Sequence, residues 1–457
     1  MIPAQDIVDL VLQAAAESGG CDETLVIVTD RAEASLRWAG NSMTTNGVST
    51  SRSTAVISIV RKGDTAHVGA VRSSVVSADD VGDLVAAAER AAHSAPEARD
   101  AAPLLTGSGS PADWGDPVPG TGAGVFAEVA GALSAGFGRS DRLYGFAHHV
   151  VETTFLATST GLRRRFTQPT GSVEINAKRG DASAWVGIST PWFTDVPVEA
   201  MLAELSMRLD WSKRTVELPA GRYETLMPPT TVADMMIYLG WSMDGRGAQE
   251  GRTALSAPGG GTRVGEKLTD LPLTVYSDPF APGLECSPFV HTATGSERIS
   301  VFDNGLHISP VDWIRDGTIN ALTYPRAAAA EFGTTPTVPA DNLLMTGGTT
   351  DLADMIAATE RGLLLTTLWY IRTVDPTTLL LTGLTRDGVY LIEDGEITAA
   401  VNNFRFNESP LDLLRRATEA GVPETTLPRE WSDWATRAVM PTLRIPDFHM
   451  SSVSQAQ

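Results

Sequence analysis

Cysteine is almost missing from this chain. Its two thiols, Cys21 and Cys286, are too few for a disulfide framework or a multi-thiolate zinc site. Basic residues are scarce as well: 35 Lys and Arg stand against 55 Asp and Glu, a formal net charge of −20 with no long basic block. A ligand with a phosphate backbone needs a basic face, so nucleic acid is excluded as a partner. Long apolar runs are lacking too. None reaches the roughly 18 to 20 uncharged residues of a membrane-spanning helix, and Asp6 and Asp9 fall where a signal peptide would carry an unbroken apolar stretch. The expectation is a cytoplasmic chain with no membrane association. Histidine supplies only His67, His93, His148, His149, His291, His307 and His449, none of them in an H-E-x-x-H spacing.

What is present is the composition of a folded protein. Apolar residues make up 42% and charged residues 20% of 457, with 42 Gly and 27 Pro, which is ample for a core. At roughly 150 residues per domain the length allows about three units. Residues 1–93 read as an α/β domain. Ile7, Val8, Leu10, Val11 and Ala14 recur at helical spacing, and Gly19-Gly20 closes that helix. Strands are expected over 24–29, 32–38, 55–61 and 66–71, the last two joined by a tight turn at Lys62-Gly63-Asp64. Ser77 then caps a helix running to His93, with Asp79 and Asp80 in its first turn.

Residues 94–124 are rich in Pro, Gly, Ser and Ala and read as a linker or a long surface crossing. The middle unit, 125–218, is α+β: a helix over 125–136, antiparallel strands over 143–157, 161–167, 172–178 and 182–188, and a helix over 198–213. From 219 to 457 short strands alternate with Gly, Pro, Asn and Asp, and the clearest helices lie at 351–361 and 410–419. That pattern predicts a barrel- or sandwich-like β-rich domain with embedded helices. The fold class as a whole is α+β.

Three segments of the last third belong together: NLLMTGG at 342–348, WYIR at 369–372 with Asp375-Pro376, and LLTGLTRDGV at 380–389, followed by NNFRFNESP at 402–410. Physically they say that tight turns at 346–348, 386–388 and 393–395 join apolar strands, and that Arg372 and Arg405 sit near aromatic residues. Their order and wording, with the acidic helix DLADMIAATERG before the second segment, closely resemble the TldD/PmbA family, and within it the TldE (PmbA) branch. The resemblance runs over most of the chain and is densest from Asp341 to Ser409. It implies a cytosolic pair, found in bacteria and archaea, in which TldD and TldE subunits form a heterodimer. That heterodimer cleaves unstructured peptides and matures some ribosomally made peptide products.

In that family the catalytic zinc belongs to the TldD subunit, held by a helix bearing H-E-x-x-x-H and by a late Cys. The imidazoles and thiolate hold the ion, and the Glu takes a proton from bound water. The equivalent helix here is TTVADMMIYLGWSM at 230–243. An ungapped match anchored on Leu226 and Gly240 puts Met236 and Trp241 at the two His positions and Ile237 at the Glu position. A thioether is a poor zinc ligand, Ile cannot carry a proton, and Trp offers only an N–H. Residues 425–457 contain no Cys. Read without the resemblance, Val232, Met235, Met236 and Leu239 form a core stripe at i, i+3, i+4 and i+7.

The resulting expectation is a non-catalytic, metal-free TldE-like subunit whose zinc sits in a TldD-like partner. It would complete an enclosed chamber and offer sheet edges to an extended peptide, and expressed alone it would form a homodimer. Its acidity would favour basic or uncharged peptides. His291, Arg372 and Arg405 are the candidates for touching a peptide. Adjacent strand residues His148 and His149 point to opposite faces and cannot chelate together, and Cys286 has no recognisable partner for nucleophilic work. Two alternatives stay open: a stand-alone hydrolase or amidase of a biosynthetic pathway, and a peptide-binding module with no enzymatic partner.

Overall fold

Apolar spacing is realised first in α1 (Ala4–Ser18), where Ile7, Val8, Val11 and Ala15 are buried on one face and Gly19 closes the helix in a left-handed conformation. The structure, a computed structural model, describes residues 2–74, 77–138, 141–194 and 196–454. At 23% helix and 40% strand the chain is α+β. Three strands follow α1: β1 (Glu23–Ala39), β2 (Met43–Lys62) and β3 (Thr65–Ser73). Gly63, at φ 65, makes the β2–β3 turn. Ser77 and Asp80 then form a reciprocal capping box one turn ahead of α2 (Val81–Ser94).

After a long crossing come α3 (Ala127–Gly136), β4 (Arg142–Thr158), β5 (Arg163–Arg179), β6 (Ala182–Ser189) and α4 (Val198–Trp211). All six strands join one antiparallel, half-barrel sheet in the order β3-β2-β1-β4-β5-β6. Three strands from before the crossing and three from after it therefore share a single hydrogen-bonded surface, stitched by β1–β4 pairing from Leu25↔Thr158 to Ala39↔Tyr144.

Two expected breaks are absent. The strands expected over 24–29 and 32–38 are one, because Asp30 pairs with Arg52, and Arg31 bridges Glu33 and Glu152, so the charges between them are satisfied within the sheet. Those expected over 161–167 and 172–178 are also one. Pro169 pairs with Val151 of β4, whereas β6 begins to pair only at Ser172, so the missing N–H of Pro169 costs no ladder bond. Gly171 is required there, since a Cβ would come within 2.3 Å of the Thr190 carbonyl oxygen.

Alternation along the sheet sends Val26, Val28 and Val56 to the face covered by α1 and α2, and Leu25, Ile27 and Ile57 to the face that meets Phe289 and Phe302. Residues 94–124 are irregular but tied down. Leu104 is buried, Trp114 meets Phe155 edge to face at 5.3 Å, and Arg165 donates to the carbonyls of Asp113, Asp116 and Pro117.

The rest of the chain builds a 14-stranded mixed sheet. Its long strand Ala438–Val453 pairs antiparallel with Gly221–Met227 and parallel with Leu343–Met345. Helix α5 (Pro229–Trp241) starts at a proline suited to a first turn, and every residue from Thr231 to Leu239 is buried. The helix expected over 351–361 is only Leu352–Ala357, because Arg361–Leu365 is a strand whose Leu363 and Leu364 pair with Thr225 and Leu226. The two sheets meet at Arg429, whose guanidinium lies 5.4 Å from the Trp185 ring and 5.2 Å from Trp369 while pairing with Asp387. Among the described residues no helix is long and apolar enough to cross a membrane.

Candidate functional site

Helix α5 carries the three positions singled out above. Met236 is 1% exposed, in one core with Met440 and Leu443, and Ile237 is 4% exposed. Trp241, at the helix end, is 40% exposed and meets Tyr238 and Trp431 edge to face at 5.5 and 4.6 Å. These side chains do not fit a zinc ion: they offer two apolar groups and an indole, and Met236 is sealed in the core. Among the described residues no three His, Cys, Asp or Glu side chains converge closely enough to hold a metal.

The helix does hide one carboxyl group. Asp234 is fully buried; desolvation pushes its pKa well up, against the backbone N–H of Glu430, which donates to Oδ1 at 3.0 Å. Its Oδ2 has no hydrogen-bond partner among the described residues. Glu430 in turn accepts from the backbone N–H of Tyr370 and from Arg372, at 2.9 and 3.1 Å. Arg372 is thus an exposed member of a network behind α5, also 5.9 Å from the Tyr370 ring.

The C-terminal turn of α5 forms the wall of a cavity of about 590 Å³, which includes the solvent at its mouth. Ile237 and Trp241 face Arg298, Trp313, Trp434 and Arg437 across it. Pro339 and Asp341 also line a second chamber, of about 750 Å³, with Glu152, Gln168, Phe289 and His291. The first chamber is therefore aromatic, with two guanidinium groups and the Asp341 carboxylate on its wall, and its neighbour shares Asp341 and adds Glu152.

Arg437 is buried and saturated. Its Nε donates to the Glu285 carbonyl at 3.1 Å, one Nη donates to Thr170 Oγ1 at 2.7 Å, and the other lies 3.6 Å from Asp341 Oδ2. Asp341 keeps 64% of its side-chain surface open, but that surface looks into the chambers. Surrounding protein strips its hydration and raises its pKa, while Arg437 and a bond from Gln168 pull it back down. His291 likewise opens into the second chamber; desolvation lowers its pKa, which favours neutral imidazole, and the Glu152 charge opposes the shift.

Of the three candidate peptide contacts, His291 lies on the second chamber, whereas Arg372 and Arg405 line neither. Arg405, on the strand Phe404–Glu408, is exposed, with its guanidinium 3.4 Å from Thr382 Oγ1. His149 is buried between Thr121 Oγ1 and the Pro191 carbonyl, at 2.6 and 3.0 Å. His148 instead lies 2.9 Å from Glu33. Cys286 is buried, and desolvation pushes its thiol up to about 12, so it remains protonated.

Asp234, Arg298, Asp341 and Arg437 were not among the residues the sequence pointed to. The one available signal for the first was a carboxylate in a segment apolar on every face.

Residues 220–452 match the family model described as the PmbA/TldA metallopeptidase C-terminal domain. No curated protein matches the sequence. In fold the chain is similar to TldE from Thermococcus kodakarensis, at 15% identity over 97% of this chain and 99% of that one, with a TM-score of 0.78. It is also similar to a candidate modulator of DNA gyrase from Bacteroides thetaiotaomicron, at 13% identity over 99% and 100% of the two chains and a TM-score of 0.78. A corresponding protein from Thermotoga maritima gives 15% identity, 98% and 100% coverage, and a TM-score of 0.74.

Proposed function

Because this chain belongs to the PmbA/TldD metallopeptidase family, we propose that it is a TldE-like, non-catalytic subunit of a two-subunit peptidase. In this reading the zinc and the proton-transfer Glu belong to a TldD-like partner, and the pair acts on unstructured peptides in the cytoplasm. The observation that carries it is α5. Where a metallopeptidase helix needs two imidazoles and a carboxylate, this one has Met236 in the core, Ile237 on a cavity wall and Trp241 in an aromatic cluster.

The substrate class follows from an open edge. Residues Met43–Ser53 of β2 pair with β1 on one side, but β3 begins to pair only at Thr54, so among the described residues the outer side of that stretch is unpaired. An extended peptide can add there through its main chain whatever its sequence.

The test is reconstitution. Purified alone, the chain is expected to carry no stoichiometric zinc by metal analysis and to cleave no peptide. With a TldD-like subunit bearing H-E-x-x-x-H, one zinc per pair and peptidase activity are expected. Hydrolysis by the isolated chain that a single substitution abolishes would replace this reading with that of a stand-alone hydrolase.

A further inference from the structure

The two guanidinium groups beside α5 differ in one respect. Arg437 spends its donors on backbone carbonyls, Thr170 and Asp341, whereas among the described residues the Arg298 guanidinium has no such partners. Its Nε is buried without a hydrogen-bond partner among the described residues, and Asp244, beyond ion-pairing distance, opposes the desolvation that lowers its pKa. Asp244 offsets its desolvation only from a distance, and an incoming anion would do so at contact. The same cavity presents aromatic surface: Trp241 and Trp434 are 40% and 76% exposed, against a wall that includes Trp313, itself buried with its N–H donated to Ser277 Oγ at 3.2 Å.

We infer that this cavity binds the C-terminal carboxylate of an extended peptide, with Arg298 donating to the carboxylate and Trp241 and Trp434 packing on the terminal side chain. The ligand class rests on the peptide reading above, and its charge on the neighbouring chamber. The Arg298 guanidinium matches one negative charge. Asp341, on the wall shared by the two chambers and facing Arg437, and Glu152 beyond it repel a dianion such as phosphate, and they favour neutral or basic residues where the peptide leaves the arginine.

The experiment is calorimetric titration of the purified full chain with N-acetyl-Ala-Ala-Phe as free acid and as C-terminal amide. The acid is expected to bind about tenfold or more tightly than the amide. Arg298→Gln is expected to erase that difference, and Arg298→Lys, which keeps the charge, to retain part of it. Circular dichroism of both variants reports their folding. Equal binding of acid and amide by the unaltered chain, or an unchanged preference in Arg298→Gln, overturns the inference. Tighter binding of phenylacetate than of the peptide acid overturns the peptide assignment in favour of a small acid. This titration needs no partner, so its failure is distinct from a failure to reconstitute zinc-dependent cleavage.

Discussion

Asp234 shows how far one residue's environment can depart from its sequence context. It sits among Val232, Ala233, Met235 and Met236, all buried, and desolvation holds its carboxyl protonated well above the usual range. A group whose pKa is raised on folding stabilises the fold fully below its unfolded pKa. That contribution fades as pH climbs toward the folded value, because the native state then binds more protons than the unfolded one. The expected result is a melting temperature that declines from about pH 4 upward more steeply in the unaltered chain than in Asp234→Asn, which cannot ionise. Thermal melts from pH 4 to 8 read this directly. Asp234→Ala, which strips the Glu430 N–H of its acceptor, is expected to cost roughly 1–3 kcal/mol in urea unfolding. The sequence showed this residue only as the one charged letter in an apolar helix. Arg298 was equally silent, since a loop arginine reveals neither its missing partners nor the tryptophans that surround it until distant segments meet.

Elements were more legible than their contents. The apolar stripe of α5, the hairpin at Lys62-Gly63-Asp64 and the cap at Ser77 were readable because each depends on local chemistry: spacing, a left-handed glycine and a side chain reaching its own helix. The long strands were not. A charged Asp30-Arg31 and a Pro169 look like interruptions in one dimension, and they become permissible only when Arg52, Glu152 or an unpaired sheet edge lies beside them. The α5 core makes a sharp prediction. Met236→Ala should destabilise by roughly 2–5 kcal/mol through the cavity it leaves. Met236→His should not create a metal site, since Ile237 and Trp241 supply no further ligands. It should instead lower stability by roughly 1–3 kcal/mol by burying an imidazole without a partner, with zinc additions leaving its melting curve unmoved.

At the scale of the whole molecule the decisive feature is the six-stranded sheet drawn from both sides of residues 94–124. Low complexity made those residues look like a boundary, yet Trp114 and the carbonyls held by Arg165 lay them across the sheet as cladding. A protease site inserted within the exposed run Ser108–Ser110 is expected to give two bands on a denaturing gel and one species in native gel filtration. The pairing of β1 with β4 does not depend on the peptide bonds between them. Separation of the two fragments under native conditions would show that the strands cohere only through the connection.

Severed at that point, the molecule would become a two-piece assembly held by main-chain pairing and shared core. Its melting point would then depend on dilution, as that of any complex does. Covalent continuity would have become a matter of effective concentration.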